Sequence, residues 1–273
     1  MAELLEKTNS SYFPAFKELF KETVNAREEA KDIDIHLKPL SGFFESLETT
    51  EFDECAQLFD PMFHTICLVW ANSTCYCRPA RIIVLLQEIN NVIIRRASEF
   101  LEPIDLFKGE PEESVEKIKA TYNTLQAYEK SYQTHKGKLK SYFKDGAVKE
   151  WEFAPKLVFA RWDKFMEKMN MIRDLFKTAM DLLRLEKVEI GGVKGKALSA
   201  RVVKIFEEFK DEFEKFSNKK YDPLDPKCDE FDDDYTEFNR FVLDLDRRLS
   251  AIICQAFDDC NSLNNDFDNI NTA

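Results

Sequence analysis

Few residues in this 273-residue chain have the types and spacing that chemistry needs. The segment Ile190–Ser199, IGGVKGKALS, holds three of the seven glycines and two lysines. It invites reading as a phosphate loop. Such a loop runs G-x-x-x-x-G-K-[ST]; its backbone amides wrap the phosphates and its hydroxyl holds Mg²⁺. Counting back five from Gly195 lands on Ile190, and Ala197 stands where the hydroxyl belongs. The preceding DLLRLEKVEI continues a helical pattern, not a buried strand. The expectation is a helix end with Gly191 or Gly192 just past it, then a turn and a new helix from about Lys196.

The acidic run Asp229–Asp234 suggests calcium. It lacks the glycine and the alternating oxygen ligands of an EF-hand loop. Carboxylates in a helix's first turn, opposing the positive end of its dipole, explain it better. Cys75-Tyr-Cys77 is the closest cysteine pair, and His64, eleven residues upstream, adds no zinc-ligand spacing. The seven cysteines, odd in number, read as reduced structural or surface thiols. His36, His64 and His135 stand apart, with no Ser or Cys at motif spacing. His135 lies on an apolar helical stripe and reads as a core histidine. No catalytic, cofactor-binding or metal-ligating residue is assigned, no cofactor is expected, and the sequence does not single out partner-binding residues.

The elements around these residues read as helices throughout. Gly (7) and Pro (9) are scarce and charged residues make up 33%, which argues against a turn-rich β fold. Ile118, Tyr122, Leu125, Tyr128, Tyr132, His135, Leu139 and Tyr142 recur at spacings of three or four. Val158, Trp162, Phe165, Met169, Ile172, Phe176, Ala179 and Leu183 form a heptad seam. Val202, Phe206, Phe209, Phe213 and Phe216 form a second, and Phe231, Tyr235, Phe238, Val242, Leu245, Leu249, Ile252 and Ala256 a third. Cys260, Leu263 and Phe267 follow after a one-residue shift of phase. Phe13, Phe16, Leu19 and Phe20 mark one face of a first helix.

The expected fold is all-α: an elongated stack of long antiparallel helices in bundles with heptad-like seams. A loop at 101–112 is expected to divide residues 1–100 from 101–273, with one continuous module as the other arrangement. Net charge −12 disfavours binding to nucleic acid and to anionic membrane surfaces. No apolar run reaches the length of a membrane span.

Several phrases then carry a resemblance: ICLVWANSTCYCRPARIIVLLQEINNVII (66–94), FLEPIDLFKGEPEE (100–113), KEWEFAPKLVFARWDKFMEKM (149–169), LRLEKVEIGGVKGKALS (183–199), FSNKKYDPLDP (216–226) and DLDRRLSAIICQAFDDC (244–260). In this order they resemble the N-terminal tail of axonemal dynein heavy chains, most of all the outer-arm β-type chains. The match runs from about Phe16 to the C-terminus. The resemblance implies a non-catalytic tail segment that carries heavy-chain contacts and docks intermediate and light chains in the ciliary or flagellar axoneme. It implies no catalytic residue here, because the motor's ATPase ring belongs to a distant part of such chains. The ending NDFDNINTA reads as a truncation within the tail. The alternative is a stand-alone cytosolic helical adaptor, or a decoy derived from the tail.

Overall fold

The computed structural model describes residues 2–143, 149–187, 190 and 195–271. Among them the regular structure is helical, with no strand: α1 (Ala2–Lys7), α2 (Phe13–His36), α3 (Lys38–Thr49), α4 (Ala56–Asn72), α5 (Pro79–Leu101), α6 (Pro111–Gly137), α7 (Pro155–Leu183), α8 (Gly195–Ser217) and α9 (Asp229–Asn271). Prolines set several starts. Pro14 and Pro39 occupy the first turns of α2 and α3, where a missing N–H leaves no helical carbonyl unpaired. Pro61 is different. The sequence suggests that it opens a helix, but α4 begins five residues earlier and carries Pro61 inside. An interior proline costs about 3 kcal/mol. Phe59, Met62, Phe63 and Ile66 around it are fully buried, each worth about 1.5–3 kcal/mol, so tertiary burial overrides the local preference.

Packing divides the chain into two units, residues 1–92 with 123–160, and residues 93–122 with 161–273. The core of the first is aromatic. Phe59 and Phe63 of α4 meet Tyr128 of α6 edge-on or tilted at 5.2 and 5.1 Å between ring centroids, and Phe63 also meets Tyr132. Tyr132 is stacked by Trp151 and met edge-on by Phe159. Partners on α4 and α6 rise in number together, so these helices run parallel. Asn90 of α5, buried, accepts from the Tyr128 hydroxyl at 2.6 Å and donates to the Val158 carbonyl at 2.9 Å.

In the second unit, Phe107 lies stacked on Phe176 and Phe216, and Phe209 and Phe216 of α8 meet Phe238 of α9. Arg201 pairs with Gln255, and Glu208 with Arg248. As α8 numbers rise, their α9 partners fall, so α8 and α9 are antiparallel. The α7 seam is buried from Val158 to Ala179. Among the described side chains of α9, the buried ones fall at every seventh position: Phe231, Phe238, Leu245 and Ile252. Tyr235, Val242, Leu249 and Ala256 are half-buried. The side chains of Cys260, Leu263 and Phe267 lie outside the described residues.

Candidate functional site

The described residues of the glycine segment, Ile190 and those from Gly195 on, lie against each other. After α7 a short 3-10 turn runs from Arg184 to Lys187, and α8 begins at Gly195, one residue from the expected start. Gly191 and Gly192 lie outside the described residues. Gly195 has a clear purpose: a Cβ there would stand 2.1 Å from the Ile190 carbonyl oxygen. The Ile190 N–H donates to Ser199 Oγ at 2.9 Å. Glycine is required for backbone against backbone, while Lys196 faces solvent.

The acidic run is committed to helix start and cations. Asp229, Glu230 and Asp232 occupy the first turn of α9. The buried Lys168 ammonium donates to Asp232 and to the Cys228 carbonyl at 2.9 Å, 5.5 Å from the Phe231 ring centroid. Asp234 accepts from Tyr221 at 2.6 Å and pairs with Lys219 at 2.8 Å. Burial, then that carboxylate, pushes the Tyr221 phenol far above its ordinary range. Nearby, Asp222 and Asp225 each accept a backbone N–H two residues on. These are structural bonds.

Among the described residues the histidines make a relay-like arrangement, and sequence reasoning missed it. His135 Nε2 lies 2.9 Å from Asp60 Oδ1, and His135 Nδ1 lies 2.8 Å from the Tyr142 hydroxyl, itself 2.9 Å from His64 Nδ1. With both rings neutral, one assignment satisfies every contact. His135 Nε2–H donates to Asp60. Tyr142 O–H donates to His135 Nδ1. His64 Nδ1–H donates to Tyr142. Burial, then Cys67 and Asp60, raises the Tyr142 phenol, so it stays protonated and is no nucleophile. The chain ties α4, α6 and the 3-10 turn 139–142 together. Asp60 and His135 are 75 residues apart, so no local spacing could reveal the pair.

A second carboxylate does similar work around the cysteine pair. Asp32, buried on α2, accepts from Ser73 Oγ, from the Thr74 N–H at 3.0 Å and from the Cys75 N–H at 3.3 Å. Burial alone would raise its carboxyl; the hydrogen bonds outweigh burial and hold it below the ordinary range. His36 Nε2 lies 3.8 Å away. Cys77 donates to the Thr74 carbonyl. Burial pushes the Cys67 thiol up to about 12, which removes the thiolate needed for reactivity. Among the described residues, no three His, Cys, Asp or Glu could together hold a metal ion. No helix there is long and apolar enough to cross a membrane.

What remains is surface. On α2 the apolar face marked in the sequence is uncovered: Leu19 is 61% and Phe20 56% exposed, Val24, Ile33 and Ile35 are exposed too, and the one buried residue of the helix is Asp32. Phe16 and Phe20 stack on each other along that face. On α9, Leu243, Ile253 and Phe257 are exposed.

The all-helical structure of the described residues is what the sequence led us to expect, and comparison with known proteins decides the family. The family model described as "Dynein heavy chain, N-terminal region 1" matches residues 1–273. The chain belongs to the dynein heavy chain family. It is 49% identical over 261 residues to "Dynein beta chain, ciliary" of Heliocidaris crassispina, covering 95% of this chain and 6% of that protein. It is 44% identical over 268 residues to human "Dynein axonemal heavy chain 9", covering 98% and 6%. To "Dynein beta chain, flagellar outer arm" of Chlamydomonas reinhardtii it is 37% identical over 268 residues, again 98% and 6%. The chain thus spans about 6% of the length of these relatives. It corresponds to the N-terminal region of an axonemal dynein heavy chain, in agreement with the expected tail segment and the expected axonemal setting.

Proposed function

We propose that this segment is a non-catalytic assembly piece of a ciliary outer-arm dynein heavy chain. It contributes to association between heavy chains and to docking of intermediate and light chains. The observation that supports the reading most directly is the uncovered face of α2. A helix this long normally buries one stripe against its own protein. Here Leu19, Phe20 and Val24 remain in water, and such contiguous apolar surface marks a place where another protein sits. On α9, Leu243, Ile253 and Phe257 are further apolar side chains left in water.

The test is capture from ciliary extract by the immobilised chain. Wild type is expected to retain heavy or intermediate chains. Leu19→Asp with Phe20→Asp is expected to lose them while melting as wild type does. If wild type retains neither, the partner role of this segment is wrong.

A further inference from the structure

We propose that the lysine-rich end of α6, together with residues 149–151, forms a docking groove for an acidic, glutamate- or aspartate-rich peptide segment of a partner protein. The chain as a whole has net charge −12, yet Lys130, Lys136, Lys138, Lys140 and Lys149 fall within twenty residues that contain one aspartate. Lysines elsewhere are commonly matched three or four residues away, as in Lys31–Glu28, Lys108–Asp105 and Lys215–Glu212. In this cluster Lys140 pairs with Glu150 at 2.9 Å. Lys130, Lys138 and Lys149 meet no carboxylate among the described residues. Compensation of the helix dipole accounts for basic residues in the last turn only, which here are His135 and Lys136.

Lys136 and Lys140 line a formed groove, and Lys138 and Lys149 are chain neighbours of its lining residues. The groove has a volume of about 400 Å³ and is lined by Gln133, Lys136, Leu139, Lys140, Glu150 and Trp151. Leu139 and Trp151 are buried, so the wall beneath the ammonium groups is firm. The Trp70 indole N–H donates to the Lys149 carbonyl at 2.7 Å, and Trp151 stacks on Tyr132 at 5.5 Å. Both contacts hold residues 149–151 against α4 and α6. The Trp151 indole N–H has no acceptor among the described residues. Charge complementarity selects an anionic partner. A long polyanion would meet the acidic remainder of the chain, and Trp151 is too buried to stack on a base. A short acidic peptide fits both constraints.

The experiment is fluorescence anisotropy of a short fluorescein-labelled oligoglutamate peptide with the 273-residue chain at low salt. Wild type is expected to bind, with affinity falling as salt rises. Lys136→Glu/Lys138→Glu/Lys149→Glu is expected to bind about tenfold more weakly or worse, and the matching triple Gln variant to fall between. Lys164→Glu, at an exposed lysine that is not part of the groove lining, is expected to bind as wild type. No binding by wild type, or equal binding by a folded Gln triple, overturns the proposal. Displacement of the peptide by a single-stranded oligonucleotide or by phosphatidylserine vesicles at lower charge concentration overturns the choice of partner. This inference is independent of the α2 face: Leu19→Asp/Phe20→Asp is expected to leave peptide binding unchanged.

Discussion

At the scale of single residues, long-range pairs carry the structure. Gly195 must lack a side chain because the Ile190 carbonyl occupies the space a Cβ would need. Gly195→Ala is therefore expected to lower stability by about 1–3 kcal/mol, the usual cost of forcing extra atoms into filled space. A shift in urea midpoint with unchanged slope checks it. Asp32 gives a pH test. Its carboxyl is held below its ordinary value in the folded protein. The stability it contributes is present above its unfolded value near 4 and lost as pH falls through the lower folded value. Asp32→Asn removes one acceptor from the turn at Ser73–Cys75. It is expected to cost about 1.5–3 kcal/mol at pH 7 and to flatten the loss of stability below about pH 4. Melting curves across that range decide between this and a carboxylate of no consequence.

Among elements, the contrast between α2 and α9 separates folding from assembly. Phe238 sits at a buried position of α9, against Phe209 and Phe216. Phe238→Ala is expected to destabilise by about 3–5 kcal/mol, read as a large drop in melting temperature. Phe20 belongs to the same residue type and the same helical periodicity but lies in water. Phe20→Asp is expected to change stability by no more than about 0.5 kcal/mol, and its effect should appear in partner capture. If Phe20→Asp instead unfolds the chain, α2 packs more tightly than its exposure indicates. Periodicity in the sequence marks both phenylalanines alike, since it reports which residues share a face and not whether anything covers that face.

For the whole molecule, the arrangement of units bears on where the chain tolerates cutting. The first unit draws Tyr128, Tyr132, Trp151 and Phe159 from beyond the loop at 101–112 and packs them on Phe59 and Phe63, or on one another. A fragment of residues 1–100 lacks these rings and is expected to unfold without a cooperative transition. A sharp calorimetric peak from that fragment would show that residues 1–100 fold alone. The chain is also expected to show no melting shift with Mg²⁺ and ATP, because the glycine segment lacks the spacing and hydroxyl of a phosphate loop.

By itself the sequence determined the helical class, the α7 and α8 seams with every second seam position of α9, the mismatch of the glycine and acidic segments with phosphate-loop and EF-hand spacing, and the family resemblance. All of these follow from short-range regularities: spacing of three and four, missing glycines or hydroxyls at fixed offsets, and ordered phrases. Only the tertiary structure decided that Asp60 meets His135, that Asp32 caps the turn at Ser73, that Lys168 is buried beneath α9, and that the face of α2 is left bare. The physical reason is that each depends on which distant segment arrives beside a residue. A side chain's chemistry is local, but its burial and its partner are properties of the packed chain.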